Sequence, residues 1–127
     1  MNKHVPIQTK HGTLNGRDCI YLDSAKFTDG FNTFVLLGDI NGNLCGKKRE
    51  GEEIPYKAIF KGVLALKMVE LDSWDFKSES SFDEIVDSKW IKSLGGKVGK
   101  KHRHYLIQTY DEVFEVVCDQ LEFITGE

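Results

Sequence analysis

The sequence is poor in cysteine and proline, with three and two respectively in 127 residues. Cys19, Cys45 and Cys118 are widely spaced and form no paired motif, so they indicate buried reduced thiols rather than a disulfide framework. No apolar run approaches the roughly 18 residues that a membrane-spanning helix needs. The N-terminal residues contain no apolar signal segment, and we therefore expect a cytoplasmic protein without a membrane partner.

The chain also lacks a strong charge of either sign. Its 17 lysine and arginine residues and 20 acidic residues give a formal net charge of −3. Because nucleic-acid-binding domains are usually basic, this composition disfavours nucleic acid as the partner. No internal repeat or linker divides the chain, and its length suits a single domain over residues 1–127.

The stretch from Ile54 to Leu71 is predicted to organise the fold. Between Ile54 and Val69 the even-numbered positions carry no charge, whereas the lysines, Lys57, Lys61 and Lys67, are all at odd positions. Side chains of a strand alternate between two faces, so this pattern predicts an extended segment with one buried face. The stretch is too long to stay straight in so small a domain, and Gly62 is the expected bend. The residues predicted to be buried include Phe60, Leu64 and Met68.

One amphipathic helix is predicted over residues 82–94. Ser81 and Glu84 have the spacing of a capping box, and Gly95 with Gly96 supplies a stop signal at the other end. Acidic residues lie near the start and lysines near the end, which matches the helix dipole. The apolar stripe consists of Phe82, Ile85, Val86, Trp90, Ile91 and Leu94.

Several strands are predicted around this helix. The dipeptide Asn41-Gly42 lies between apolar runs and favours a hairpin turn. The strand Phe31–Gly38 is then expected to pair with Leu44–Lys48 or, across a longer tip, with the chain from Ile54 onward. Residues 112–124 leave two alternatives open, since their acids have helical spacing while their β-branched and aromatic residues favour a strand, which we adopt. Together, the predicted strands and helix indicate an α+β fold: a curved, mainly antiparallel sheet or partial barrel with one helix.

A basic segment, residues 97–103, follows the predicted helix. Its glycine and lysine spacing does not match a phosphate-binding loop, so a solvated loop is the favoured interpretation and an anion-binding patch the alternative. His102 and His104 are spaced to share one face of a strand, but two ligands do not make a metal site. We favour a pair of exposed histidines at the end of a strand. The candidate binding residues are Lys97, Lys100, Lys101, His102, Arg103 and His104.

A second metal-like pattern begins at Asp39. The segment from Asp39 to Glu50 matches a calcium-binding loop at several ligand positions, but Leu44 stands where that loop requires glycine. No amphipathic helices flank the segment, so a hairpin turn explains it better. We therefore predict neither a metal site nor a cofactor.

No catalytic constellation stands out, and the sequence favours a protein that is not an enzyme. It contains no nucleophile-elbow motif and no cysteine in an activating context. Our first hypothesis is a small soluble binding protein whose partner is another protein, such as an inhibitor or an immunity-type partner of a toxin. An alternative is a small-molecule-binding domain or modest enzyme with a pocket in the curved sheet. A third hypothesis is contact with phosphate or nucleic acid through residues 97–103.

Overall fold

The chain folds into two antiparallel β-sheets that pack face to face. A computed structural model describes residues 3–70, 80–96 and 98–126. The strands are β1 (Lys3–Pro6), β2 (Ile20–Thr28), β3 (Thr33–Asn41), β4 (Glu53–Lys61), β5 (Ala65–Glu70), β6 (Phe82–Val86), β7 (Arg103–Gln108), β8 (Glu112–Cys118) and β9 (Gln120–Thr125). Their order is β1-β6-β7-β8-β5 in the five-stranded sheet and β2-β3-β4-β9 in the four-stranded sheet. In the described part of the chain the helical elements are α1 (Lys89–Ser93) and a 3₁₀ turn, Gly42–Leu44.

The main hydrophobic core lies between the two sheets. Phe34 of the four-stranded sheet has its ring centroid 5.7 Å from that of Phe114 in the five-stranded sheet. Phe60 and Tyr105 make a second contact of this kind at 6.2 Å. One cluster of buried apolar side chains therefore takes members from both sheets, and each large side chain that it buries contributes roughly 1.5–3 kcal/mol.

Strand β4 confirms the predicted alternation in the first half of the organising stretch. Ile54, Tyr56, Ala58 and Phe60 are at most 5% exposed, and the residues between them are exposed or half-buried. The strand lies inside its sheet, where it pairs with β3 on one side and β9 on the other. The predicted strand is therefore a central one.

The predicted bend lies at Gly62, whose φ of 68° is in the left-handed region that favours glycine. Here the chain leaves the four-stranded sheet and enters the five-stranded sheet as β5. The connection from β8 to β9 crosses at the same place, and its Asp119 N–H donates to Lys61 O at 3.1 Å. The predicted partial barrel is therefore wrong, because two separate sheets are joined at this corner.

The predicted burial fails beyond Gly62. Leu64 is 37% exposed and Met68 is 58% exposed, although Phe60 is fully buried. The reason is the position of β5 at the edge of the five-stranded sheet, where the core covers the strand incompletely. The even-numbered pattern thus holds only as far as the bend.

The predicted helix over residues 82–94 is wrong for most of its length. Residues Phe82–Val86 form β6, which lies between β1 and β7. Asp87 has a φ of 54° and ends the strand, and the helix that follows spans only Lys89–Ser93. Its N-cap is Ser88 rather than Ser81. The fold is accordingly mainly β instead of α+β.

Two other predictions are settled by the strand pairing. Strand β3 pairs with β4 across the longer tip, as the register of Asn41 with Glu53 shows, and the pairing with Leu44–Lys48 is wrong. The side chain of Asn41 instead accepts a hydrogen bond from Asn43 N–H at 3.0 Å and caps the 3₁₀ turn. Residues 112–124 adopt the extended alternative, as β8 and β9. No helix in the described ranges is long and apolar enough to cross a membrane.

Candidate functional site

Two of the described cations in the basic segment that the sequence singles out lie beside carboxylates. Lys97 lies outside the described residues, and Lys100 is exposed. Lys101 Nζ lies 3.3 Å from a carboxylate oxygen of Asp119, and Arg103 Nη1 lies 2.8 Å from Glu84. Since these two cations already face carboxylates, they offer less attraction to an incoming anion. The role of the segment in binding stays a prediction.

The two histidines of the segment are separated by their environments. His102 Nδ1 accepts a hydrogen bond from Gly99 N–H at 2.9 Å and closes a surface turn. His104 is 2% exposed and lies on the face of β7 opposite to the main core. The exposed position that we favoured is therefore wrong for His104.

His104 is the centre of a buried polar network. Its Nδ1 lies 2.7 Å from Ser88 Oγ, and its Nε2 lies 2.7 Å from Glu115 Oε1. Because a carboxylate only accepts, the Nε2 proton points to Glu115, and in the neutral ring Nδ1 accepts from the Ser88 hydroxyl. Trp90 of α1 packs edge-on against the imidazole with ring centroids 5.1 Å apart.

This network resembles a serine–histidine–carboxylate arrangement, but its geometry suits a structural role. Ser88 is 4% exposed, and its Oγ accepts the Ile91 N–H at 3.1 Å as the cap of α1. The oxygen is thus occupied and shielded, whereas nucleophilic catalysis requires an accessible one. The network fixes the short helix to the sheet.

The charge of Glu115 is maintained inside this network. Burial by itself raises the pKa of a carboxyl group, but the hydrogen bond from His104 and the charge of Lys67 outweigh it, so the pKa of Glu115 lies below its ordinary value. Lys67 Nζ lies 3.5 Å from Glu115 Oε2 and 4.8 Å from the centre of the Trp90 ring. The ionised carboxylate therefore links β8 to both β7 and the edge strand β5.

A second cluster, which the sequence did not predict, lies where the two sheets meet at one end. Tyr21 of β2 is the cross-strand partner of Asp39 in β3. The turn between β7 and β8 docks against this strand, with Tyr110 N–H donating to Ile20 O at 2.8 Å. We call the cluster the acidic tyrosine surface; it comprises Tyr21, Tyr110 and the nearby acids Asp18, Asp39 and Glu53, together with Asp111, which follows Tyr110 in the turn.

The two tyrosines form a fixed, half-exposed pair. Their rings stack with centroids 5.4 Å apart and an interplanar angle of 21°. Tyr21 is 38% exposed and Tyr110 is 40% exposed. The guanidinium carbon of Arg17 lies 5.3 Å from the centre of the Tyr110 ring, and its Nε donates to Tyr110 O at 3.1 Å. Contacts on both sides of Tyr110 thus hold the pair in place before any partner binds.

The carboxylates of this surface form no ion pair within the described part of the chain, although Arg17 lies against Tyr110. Lys61, Lys92 and Arg103 each face a carboxylate elsewhere, but the four acids of this surface make no ion pair among the described residues. Partial burial and the charge of Asp18 raise the pKa of Tyr21. A depression of ≈ 270 Å³ beside the pair is lined by Tyr21, Asp39, Ile40, Asn41, Asn43, Gly51, Glu52 and Glu53.

Sequence reasoning missed this surface because its members are distant along the chain. Tyr110 and Asp111 lie in the turn between β7 and β8, whereas Tyr21 lies in β2. The contact between them depends on how the β7–β8 turn meets the other sheet. The local signal for this surface in the sequence was an aromatic residue followed by an acidic one, Tyr110-Asp111, at the tip of a hairpin.

Comparisons with known proteins do not identify the chain. No protein-family model matches it, and no curated protein matches it. It is similar to the crystal structure of an uncharacterized protein from Neisseria gonorrhoeae, with 11% sequence identity, a TM-score of 0.47 and coverage of 97% of this chain and 96% of that one. At that level the similarity carries no information about function.

Proposed function

We propose that this protein is a non-enzymatic binding module that uses its acidic tyrosine surface to bind a basic surface of another protein. The observation that carries the proposal is the stacked pair of Tyr21 and Tyr110, half-exposed among carboxylates that form no ion pair in the described ranges. Rigid aromatic side chains are frequent anchors of protein interfaces. Carboxylates around them accelerate encounter with a cationic partner and select against other surfaces.

An inhibitor or immunity-type partner of a toxin is the concrete form that these features favour. Enzymes that act on nucleic acids have basic substrate-binding surfaces. A rigid surface with several carboxylates outside ion pairs imitates the charge of such a substrate, and the tyrosine pair supplies planar groups similar to bases. Binding of this kind blocks the substrate site without any chemistry in the inhibitor.

The test uses a photo-crosslinking amino acid in the full-length protein, expressed in its native cells. One variant carries it at Asp111, within the acidic tyrosine surface. The control carries it at Phe31, which is 79% exposed beyond the other end of β2. We expect Asp111, but not Phe31, to crosslink to one basic polypeptide.

Charge dependence decides whether the crosslink reports the proposed interface. The double variant Asp39→Lys, Glu53→Lys should remove the crosslink, and high salt applied before irradiation should weaken it. A crosslink that survives charge reversal, forms equally from Phe31, or joins the protein to nucleic acid would contradict the proposal.

The two other hypotheses are not favoured by a specific observation. Lys101 and Arg103 are paired with carboxylates, which weakens the case for phosphate or nucleic acid at residues 97–103. The space between the sheets is occupied by the side chains of the core cluster, whereas a small-molecule pocket in a curved sheet requires an open interior.

A further inference from the structure

Two of the cysteines are brought together by the fold although 26 positions separate them in sequence. Cys19 Sγ lies 3.9 Å from the carbonyl oxygen of Leu44, the residue that precedes Cys45. Cys45 Sγ lies 3.8 Å from the carbonyl oxygen of Asn41, whose N–H donates to Cys19 O at 2.7 Å. Each thiol therefore lies against the backbone next to the other cysteine.

The third cysteine is placed differently. Cys118 ends β8 in the five-stranded sheet, and its Sγ contacts the carbonyl oxygen of Gln120 at 3.6 Å. All three cysteines are free and buried, so burial alone does not distinguish them. The position of Cys19 beside Cys45 does distinguish this pair from Cys118. A disulfide requires the two sulfurs to approach to about 2.0 Å with little movement of the backbone.

We propose that Cys19 and Cys45 are a modification site, at which exchange with a small disulfide such as oxidised glutathione forms a reversible intramolecular disulfide. The thiolate of Cys45 attacks one sulfur of oxidised glutathione, which forms a mixed disulfide and releases one glutathione thiolate. The thiolate of Cys19 then attacks the Cys45 sulfur and releases the second glutathione. The two cysteines lose two protons and two electrons, and oxidised glutathione receives them and becomes two molecules of glutathione thiol.

The environment of the thiols indicates the order and the speed of these steps. Burial raises the pKa of Cys19 to about 12. Burial also raises the pKa of Cys45, but the neighbouring Cys19 and the charge of Arg49 oppose that effect. Cys45 is therefore the better first nucleophile. In the folded protein the exchange is slow, because an external disulfide reaches either sulfur only after the segment around the 3₁₀ turn opens.

The site lies directly behind the acidic tyrosine surface. Cys19 immediately follows Asp18 and lies two positions before Tyr21, while Cys45 follows the 3₁₀ turn whose Asn43 lines the depression. A disulfide would fasten the start of β2 to this turn. Formation of the disulfide does not depend on the proposed function, and the experiment below measures it without any partner.

The experiment refolds the wild-type protein from urea in a buffer of reduced and oxidised glutathione. Free thiols are then alkylated and the disulfides are located by peptide mass spectrometry. We expect one dominant product, in which Cys19 is joined to Cys45 and Cys118 is alkylated. A disulfide that contains Cys118, a stable glutathione adduct, or three alkylated cysteines would each overturn the proposal.

Single variants provide the matched controls. Cys118→Ser should form the same disulfide as the wild type. Cys45→Ser retains Cys19 and Cys118 and should lose the intramolecular disulfide entirely. A disulfide between Cys19 and Cys118 in Cys45→Ser would show that disulfides form at random in the flexible refolding chain. It would contradict the view that the native geometry selects the pair. Because the wild-type map is decisive alone, poor folding of a variant leaves the test intact.

Discussion

His104 Nε2 lies 2.7 Å from Glu115 Oε1, and this contact joins β7 to β8 on the face of the sheet that α1 covers. Both side chains are almost completely buried, and both have their remaining polar atoms satisfied by Ser88 and Lys67. A buried carboxylate is costly unless it is hydrogen-bonded and paired. Removing one partner therefore leaves the other buried without compensation, which lowers the free energy of unfolding.

The first prediction concerns Glu115→Gln. The amide lacks the negative charge that His104 and Lys67 face, so we expect the free energy of unfolding to fall by about 1–3 kcal/mol. Glu122→Gln is the matched control: it removes an exposed partner of Lys61 and should change stability by less than about 1 kcal/mol. Urea denaturation measures both. Equal effects of the two substitutions would contradict a special role for Glu115.

The second prediction concerns acid unfolding. Since the pKa of Glu115 is lowered in the folded protein, its ionised form stabilises the fold at any pH above the ordinary glutamate value of about 4.3. That contribution is lost as the pH falls through the lower folded value. The stability difference between wild type and Glu115→Gln should therefore be constant near neutral pH and shrink in acid. A difference that grows as the pH falls would show that the sign is wrong.

The third prediction concerns Gly38, which lies beside the bulge in β2. A Cβ atom at this position would lie 1.9 Å from the backbone oxygen of Tyr21. Because a backbone oxygen of the sheet cannot move aside cheaply, Gly38→Ala should lower the free energy of unfolding by about 1–3 kcal/mol or more. Gly95→Ala is the control, since no atom lies within 4 Å of its added Cβ. Thermal unfolding of both variants tests the expectation.

The fourth prediction concerns the stacked tyrosines. If Tyr21 and Tyr110 stabilise each other, Tyr21→Ala and Tyr110→Ala should be non-additive in a double-mutant cycle, with a coupling of about 0.5–1.5 kcal/mol. The coupling reports the rigidity of the pair in the free protein, without a partner. Strictly additive losses would indicate that the rings contact each other without holding each other in place.

The parts of the fold that can be predicted from the sequence are strands with one apolar face and one polar face. Strand β4 was readable because its inward side chains are apolar and its outward ones include Lys57 and Lys61. Strand β6 could not be recognised from the sequence, because both of its faces are buried and Phe82, Asp83 and Ile85 show no alternation with a period of two. Such a short segment fits a helical repeat equally well, and only its pairing with β1 and β7 decides the structure.

The candidate site was less accessible to sequence reasoning than the fold. Residues 97–103 attracted attention because their charges are adjacent in sequence, yet Lys101 and Arg103 are paired with acids that are distant in sequence, Asp119 and Glu84. The acidic tyrosine surface gave no comparable signal, since Tyr21 and Tyr110 meet only through the packing of the two sheets. Local composition therefore drew attention to the first cluster and gave no sign of the second.

The corner at Gly62 constrains how the molecule can come apart. Two chain segments cross there side by side, joined by Asp119 N–H to Lys61 O and by Leu64 N–H to Val117 O. Neither sheet can slide over the other without breaking the hydrogen bonds of both connecting segments. We therefore expect the two sheets to unfold as one cooperative unit. Amide protons in β4 and β8 should accordingly exchange with solvent at a common, slow rate set by global unfolding.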